Sequence, residues 1–322
     1  MLLPVGRSHA VWCLEQDGQP VAAIKLFDPK TSETEGEALR EALVHELGRE
    51  VPELACLLSS MRSHHSAADL IVTEWFDGRP AWEGDALSNG VPANAAADLD
   101  ALVPLIVPAL ARMHRATARR HQDGSIDPRF NSPVPWVLRL FDGDAPAEIW
   151  ANPLLRPVLD FVASRPALVA GLRRTRGAWR RVALIHGDLK HDNLLVNCSD
   201  RIVVIDWEMA AIGDPTWDLA GLMSRPLLVS ETETGNWSNT AKATARRMIE
   251  TYRSVVPVPA KALTQRLVLY CGAWLMMSMI QYRSIVAEAD DTAIMRIITL
   301  VEACLTDAAG VSRELMADND PE

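Results

Sequence analysis

His186-Gly187-Asp188-Leu189-Lys190-His191-Asp192-Asn193 follows directly on the aliphatic run Val182-Ala183-Leu184-Ile185. Ile205-Asp206-Trp207-Glu208 closes a second such run, begun at Ile202-Val203-Val204. Short apolar runs bounded by polar residues read as buried strands. A polar group at the end of a buried strand is delivered to the surface at a fixed place. Asp188 and Asn193 lie five residues apart, and Asp206 ends the next strand. This set offers one carboxylate able to accept a proton and two side chains with hard oxygen ligands of the kind that suits Mg²⁺.

The Asp-to-Asn spacing is that of a kinase catalytic loop, in which the Asp is the base and the Asn holds metal. The segment resembles the aminoglycoside phosphotransferase and choline kinase-like family, which carries His-Gly-Asp where protein kinases carry His-Arg-Asp. Asp206-Trp207-Glu208, Gly213-Asp214-Pro215 and Asp218-Leu219 are similar to that family's metal-binding segment and the helix start after it. The resemblance implies Asp188 as catalytic base and Asn193 and Asp206 as magnesium ligands. It implies structural hydrogen-bonding roles for His186 and Asp218. Lys190 has two readings, a lysine that stabilises charge on a moving phosphoryl group or a solvated loop residue.

Outward toward the N-terminus, Val21-Ala22-Ala23-Ile24-Lys25-Leu26-Phe27 is similar to the Val-Ala-Ile-Lys strand whose lysine binds the α/β-phosphates and pairs with a helix Glu. Leu39, Leu43 and Leu47 mark an amphipathic helix over 34–48. Glu37 and Glu41 share one face of it, and Glu41 is the preferred partner of Lys25. Glu74-Trp75-Phe76 follows the strand Leu70-Ile71-Val72-Thr73 and resembles the hinge whose backbone reads adenine. Pro4-Val5-Gly6-Arg7-Ser8-His9 stands where a phosphate-covering turn belongs, with one glycine. Ala10 to Leu14 is a further strand, Gln16-Asp17-Gly18-Gln19 a turn, His64-His65 a polar loop and Asp77-Gly78-Arg79-Pro80 the loop that ends this part.

From about residue 95 the pattern is helical. Leu99, Leu102, Val103, Ile106, Leu110 and Met113 follow the 3.6 period, with Pro104 and Pro108 expected to start a helix or kink it. Residues 120–150 read as loop with short helices, and helices are expected near 241–255, 262–287 and 292–308. Met276, Met277, Met279 and Trp274 read as core.

Composition narrows the function classes. The net charge of −10 argues against a nucleic-acid surface. It says little about a substrate, because residues 1–78 hold 6 Lys/Arg against 13 Asp/Glu, leaving 26 against 29 in the rest. The longest nearly apolar run, Leu267 to Ile280, is shorter than a bilayer span, and Arg7 follows the opening Met1-Leu2-Leu3-Pro4 too soon for a signal peptide. Cys13, Cys56, Cys198, Cys271 and Cys304 are dispersed, without metal-ligand spacing, and read as reduced thiols of a cytoplasmic protein.

The expectation is an α+β, bilobal protein-kinase-like fold, with a small β-rich lobe over 1–78 and a larger helical lobe over 79–322. The implied reaction is ATP- and Mg²⁺-dependent transfer of the γ-phosphate to a hydroxyl of a small aminoglycoside-, choline- or sugar-like alcohol. One alternative acceptor is Ser or Thr of a ribosomally made precursor peptide, and a different class is a non-catalytic nucleotide-binding scaffold. No nucleic-acid or membrane partner is expected, and the oligomeric state is left open.

Overall fold

The computed structural model describes residues 2–4, 10–27, 36–81, 95–132, 134–143, 147–234, 237–285 and 291–317. Its N-terminal part is an antiparallel five-stranded sheet in the order β1-β2-β3-β5-β4, built from β1 (Leu2–Pro4), β2 (Ala10–Gln16), β3 (Gln19–Leu26), β4 (Met61–His65) and β5 (Leu70–Glu74). The β2–β3 hairpin turns on Asp17 and Gly18, both left-handed (φ 53° and 75°), the geometry that matches the strand twist. His64 and His65 lie on β4, not in a loop. An edge strand pairs on one side only and tolerates polar residues, so its composition hides it.

Helix α1 (Glu37–Gly48) and the short α2 (Pro52–Ala55) cross from this sheet to the rest of the molecule. Phe27, Ala38, Ala42 and Ile71 form a small core between α1 and the sheet. The C-terminal half of α1 belongs to the main core, where Leu43, Val44, Leu47 and Leu54 pack in one cluster with α3 (Ala95–Gln122) and with Ile202 and Val204. One helix therefore serves two cores.

Two small sheets carry the polar segments. Arg79–Pro80 (β6), Ala183–Ile185 (β7), Leu194–Val196 (β8), Ile202–Val204 (β9) and Ala211–Gly213 (β10) pair as β6-β8-β9 and β10-β7. The loop expected over Asp77–Pro80 thus ends at Gly78, and Arg79 and Pro80 pair with Val196 and Leu195. Pro104 and Pro108 do not start a helix: both lie inside α3. Pro104 is exposed and Pro108 half-buried, so the carbonyls they leave unbonded can turn to water.

The remaining helices are α4 (Ala147–Ala151), α5 (Arg156–Ala163), α6 (Pro166–Gly177), α7 (Thr216–Thr234), α8 (Asn239–Val255), α9 (Ala260–Ile285), α10 (Asp291–Thr306) and α11 (Ala308–Met316). The expected helices 241–255, 262–287 and 292–308 correspond to α8, α9 and α10, with 286–290 outside the described residues. Ala260–Gln281 is long and apolar enough to cross a bilayer, but 78% of its most apolar window is buried against the protein. Trp274, Met276, Met277 and Met279 are core.

His45 sits in the last turn of α1 and is buried, and its pKa is pushed down to about 4 by burial and by the charges of Arg49 and Lys25. An unfolded histidine titrates near 6.5, so between about pH 6.5 and 4 the unfolded chain binds the extra proton. Stability should therefore fall with acid across that window. His45→Gln should remove about 2–3 kcal/mol of the loss between pH 7 and 4.5, read from urea unfolding at several pH values. Equal slopes for the two proteins would show that His45 does not report on folding.

Candidate active site

Lys25 lies on β3 and is buried, with its ammonium shared among three carboxylates. It donates to Glu41 Oε2 of α1 at 2.9 Å and to Asp206 Oδ1 at 2.9 Å, and it bonds Glu208. The choice between Glu37 and Glu41 thus goes to Glu41. Burial opposes charge on Lys25, yet Glu41, Asp206 and Glu208 outweigh it and hold its pKa above the ordinary value. Glu41 is pushed upward by burial, against the pull of Lys25. Asp206 also pays for burial, but Lys25 dominates and draws its pKa down.

Asp206 leaves β9 in a left-handed conformation (φ 63°), which an aspartate tolerates better than most residues. The chain then makes one 3-10 turn over Trp207–Met209, held by the buried Trp207, whose indole N–H donates to the Val204 carbonyl at 2.9 Å. Glu208, to which the sequence reading gives no role, reaches Lys25 from this turn. The i, i+2 spacing from Asp206 was the available signal, since it sends both side chains to one side of a tight turn.

The segment 186–193 is fixed from beneath. Asp218, fully buried on α7, accepts the backbone N–H of His186 at 2.9 Å and of Gly187 at 3.1 Å. The His186 ring Nε2 meets the Ile205 carbonyl at 2.8 Å and so ties the two polar segments together. His114 of α3 bonds Asp218 at 3.1 Å and Tyr252 of α8 at 3.3 Å. His114 occupies an apolar face of α3, and only a polar residue in that buried register could have flagged it.

Above this support, Asp188 Oδ2 accepts from Lys190 Nζ at 2.7 Å and from Asn193 Nδ2 at 3.3 Å. Among the described residues no partner is recorded for Oδ1 of Asp188. Asn193 Nδ2 also donates to the Asp188 carbonyl at 2.8 Å, which turns the amide oxygen the other way. Lys190 is held charged, burial being outweighed by Asp188. Its side chain is still 39% exposed, so the ion pair with Asp188 lies at the edge of solvent.

The donor set fits a hard divalent cation. Single ligand oxygens of Glu41, Asp206 and Glu208 lie within 4.8 Å of one another. Away from this cluster, Glu74 ends β5 exposed, and Trp75 and Phe76 are half-buried. Glu74 N–H is bonded to the Ser60 carbonyl at 2.8 Å and Trp75 N–H to Val21 at 3.3 Å. Val5 to His9 lie outside the described residues.

The sequence profile of the phosphotransferase enzyme family (APH) matches residues 2–255. No curated protein matches the chain. Among solved structures it is similar to a choline/ethanolamine kinase family protein from Mesorhizobium loti, with a TM-score of 0.57 at 16% identity over 98% of this chain and 91% of that one. It is also similar to the choline kinase LicA from Streptococcus pneumoniae, with a TM-score of 0.53 at 15% identity over 94% and 92%. An amicoumacin kinase in complex with AMP-PNP, Ca²⁺ and Ami gives a TM-score of 0.59 at 13% identity over 94% and 87%. These likenesses show the bilobal kinase-like fold.

Gly187 separates the histidine from Asp188 for a steric reason. Its φ is 86°, and a Cβ there would lie 2.4 Å from the Met209 carbonyl oxygen. Gly187→Ala should cost roughly 2–4 kcal/mol from the left-handed backbone and the clash combined, measured by urea unfolding. A change under about 0.5 kcal/mol, the size of an ordinary surface substitution, would mean the two segments are not in contact there.

Proposed function

The chain belongs to the phosphotransferase enzyme family, and we propose that it moves the γ-phosphate of ATP onto a hydroxyl of a small molecule, with Mg²⁺ as the metal. The observation that carries this reading is the 2.9 Å contact between Lys25 and Asp206. It joins a phosphate-gripping lysine to a metal-binding carboxylate 181 residues away and lies beside the Asp188–Asn193 loop. The amicoumacin kinase complex, which holds AMP-PNP and Ca²⁺, supports a nucleotide and a divalent cation in this fold.

The nucleotide lies between a lobe of residues 1–78 and one of 79–322. Adenine meets the backbone of Glu74–Phe76. Because the Glu74 and Trp75 N–H groups are already bonded within the sheet, the contacts fall to the Glu74 carbonyl and the Phe76 N–H. Lys25, oriented by Glu41, grips the phosphates. Asn193 and Asp206, joined by Glu208, hold the metal, which supplies charge neutralisation on the phosphates. Asp188 receives the acceptor hydroxyl on Oδ1 and takes its proton as the new P–O bond forms, while Asn193 and Lys190 fix Oδ2. Lys190 offers its positive charge to the moving phosphoryl group.

The acceptor is an aminoglycoside-, choline- or sugar-like alcohol. The Lys190–Asp188 pair, an arrangement shared with Ser/Thr kinases, favours a peptide hydroxyl as the second reading. The five free cysteines suit a reducing cytoplasm, where ATP is available.

Asp188→Asn keeps the shape and loses the proton acceptor. It should bind Mg-ATP within about threefold of wild type yet lose transfer by on the order of 10²-fold or more. Calorimetry and single-turnover transfer of γ-labelled phosphate to panels of small alcohols and peptides measure both. Intact binding with intact transfer would remove Asp188 from the mechanism. Loss of binding along with transfer would make it a metal-holding residue instead.

A further inference from the structure

Helix α1 meets the Asp206–Met209 turn through a second cation besides Lys25. Arg40 Nη1 donates to the Glu208 backbone carbonyl at 2.5 Å. Glu37, Arg40 and Glu41 stand at i, i+3 and i+4, the spacing that places three side chains on one helix face. Glu41 goes to Lys25, and the buried Glu37 stands near enough to Arg40 to act on its charge. Burial works against the guanidinium, and the charges of Glu37 and Glu208 work for it. Glu208 is thus held at both ends, its carboxylate by Lys25 and its carbonyl by Arg40.

This turn needs outside support. It is a single 3-10 turn of three residues, and Asp206 enters it through a left-handed backbone that is costly for a residue with a side chain. On its inner side Trp207 and the close approach of Gly187 to Met209 fix it. Arg40 is the side chain that grips its backbone from α1. A planar, permanently charged fork suits that task better than a flexible ammonium. We propose that Arg40 is a positioning residue: by pinning the Glu208 carbonyl to α1 it sets the separation of the Asp206 and Glu208 carboxylates, and so the affinity of the metal site. The inference rests on the phosphotransferase reading of the site and adds to it a residue that touches neither nucleotide nor metal.

The test is Mn²⁺ binding followed by electron paramagnetic resonance, with a saturating non-hydrolysable ATP analogue present. Wild type, Arg40→Ala and Arg40→Lys are compared, with Arg49→Ala as an exposed arginine control from the opposite end of the same helix. Arg40→Ala should weaken Mn²⁺ by about tenfold, with Arg40→Lys in between, Arg49→Ala unchanged, and adenosine affinity held within twofold in all four. Mn²⁺ affinity of Arg40→Ala within twofold of wild type overturns the proposal. So does a parallel loss of adenosine and Mn²⁺ binding, which marks a general structural role. If Arg40→Ala does not fold, Arg40→Met, which keeps the stem and loses every donor, decides by the same criteria. Absence of nucleotide-dependent Mn²⁺ binding in wild type would defeat the functional reading itself, a result distinct from a wild-type site indifferent to Arg40.

Discussion

One buried ammonium holds this site together. Lys25 brings a strand, a helix and the turn after β9 to a single point by drawing Glu41, Asp206 and Glu208 onto its Nζ. Three carboxylates that close would repel one another, and burial would make the repulsion expensive. With one cation for three anions, the excess negative charge has to settle somewhere. The Asp206 side chain is 30% exposed and that of Glu41 8%. Burial pushes both carboxyls up: for Glu41 it prevails, whereas Asp206 is drawn down by Lys25.

The loop itself is held by a different kind of force. Asp218 takes two backbone N–H groups and a histidine. A carboxylate that accepts several hydrogen bonds can remain buried without a full counter-ion. Asp214, four residues earlier, is treated in the same way: it caps the start of α7 through the Thr216 N–H, accepts the Tyr270 hydroxyl at 3.0 Å and has Arg266 at 3.7 Å. Around Lys25 the parts are joined by ion pairs, and around Asp218 by hydrogen bonds.

The polar residues of the candidate site stood out in the sequence for a physical reason. Asp188, Asn193, Asp206 and Lys25 are polar residues at the ends or centres of apolar runs, and such placements stand out because burying them is costly. Lys25 with Glu41 could be paired because a strand and the next helix lie within twenty residues. Helix α7 was signalled only at its start, by the resemblance at Asp218-Leu219, and not by any periodicity. Trp217, Leu219, Ala220, Leu222, Met223 and Leu227 are all fully buried, and a helix covered on most sides has no polar face to set its period. Strand β4 failed in the opposite way, with too few apolar residues at a sheet edge. Arg40 and His114 depend on contacts across 168 and 104 residues, which neither periodicity nor motif spacing encodes.

The C-terminal helices reach the 186–193 segment through aromatic side chains. Trp274 of α9 donates its indole N–H to the Trp217 carbonyl at 3.1 Å, and Trp217 of α7 donates its own to the Gly187 carbonyl at 2.8 Å. Trp179 and Tyr270 pack edge-on against Trp217 with centroids 5.7 Å away. Gly221 lets the helix close on this path, since a Cβ there would lie 2.1 Å from the Leu189 carbonyl. An indole offers one directed donor on a large rigid body, so each link fixes orientation as well as distance. Gly187 is thereby held by Asp218 at its N–H, by Trp217 at its carbonyl and by Met209 across its open face. Asp188 follows it immediately, so its carboxylate is aimed by a backbone that is fixed on every side.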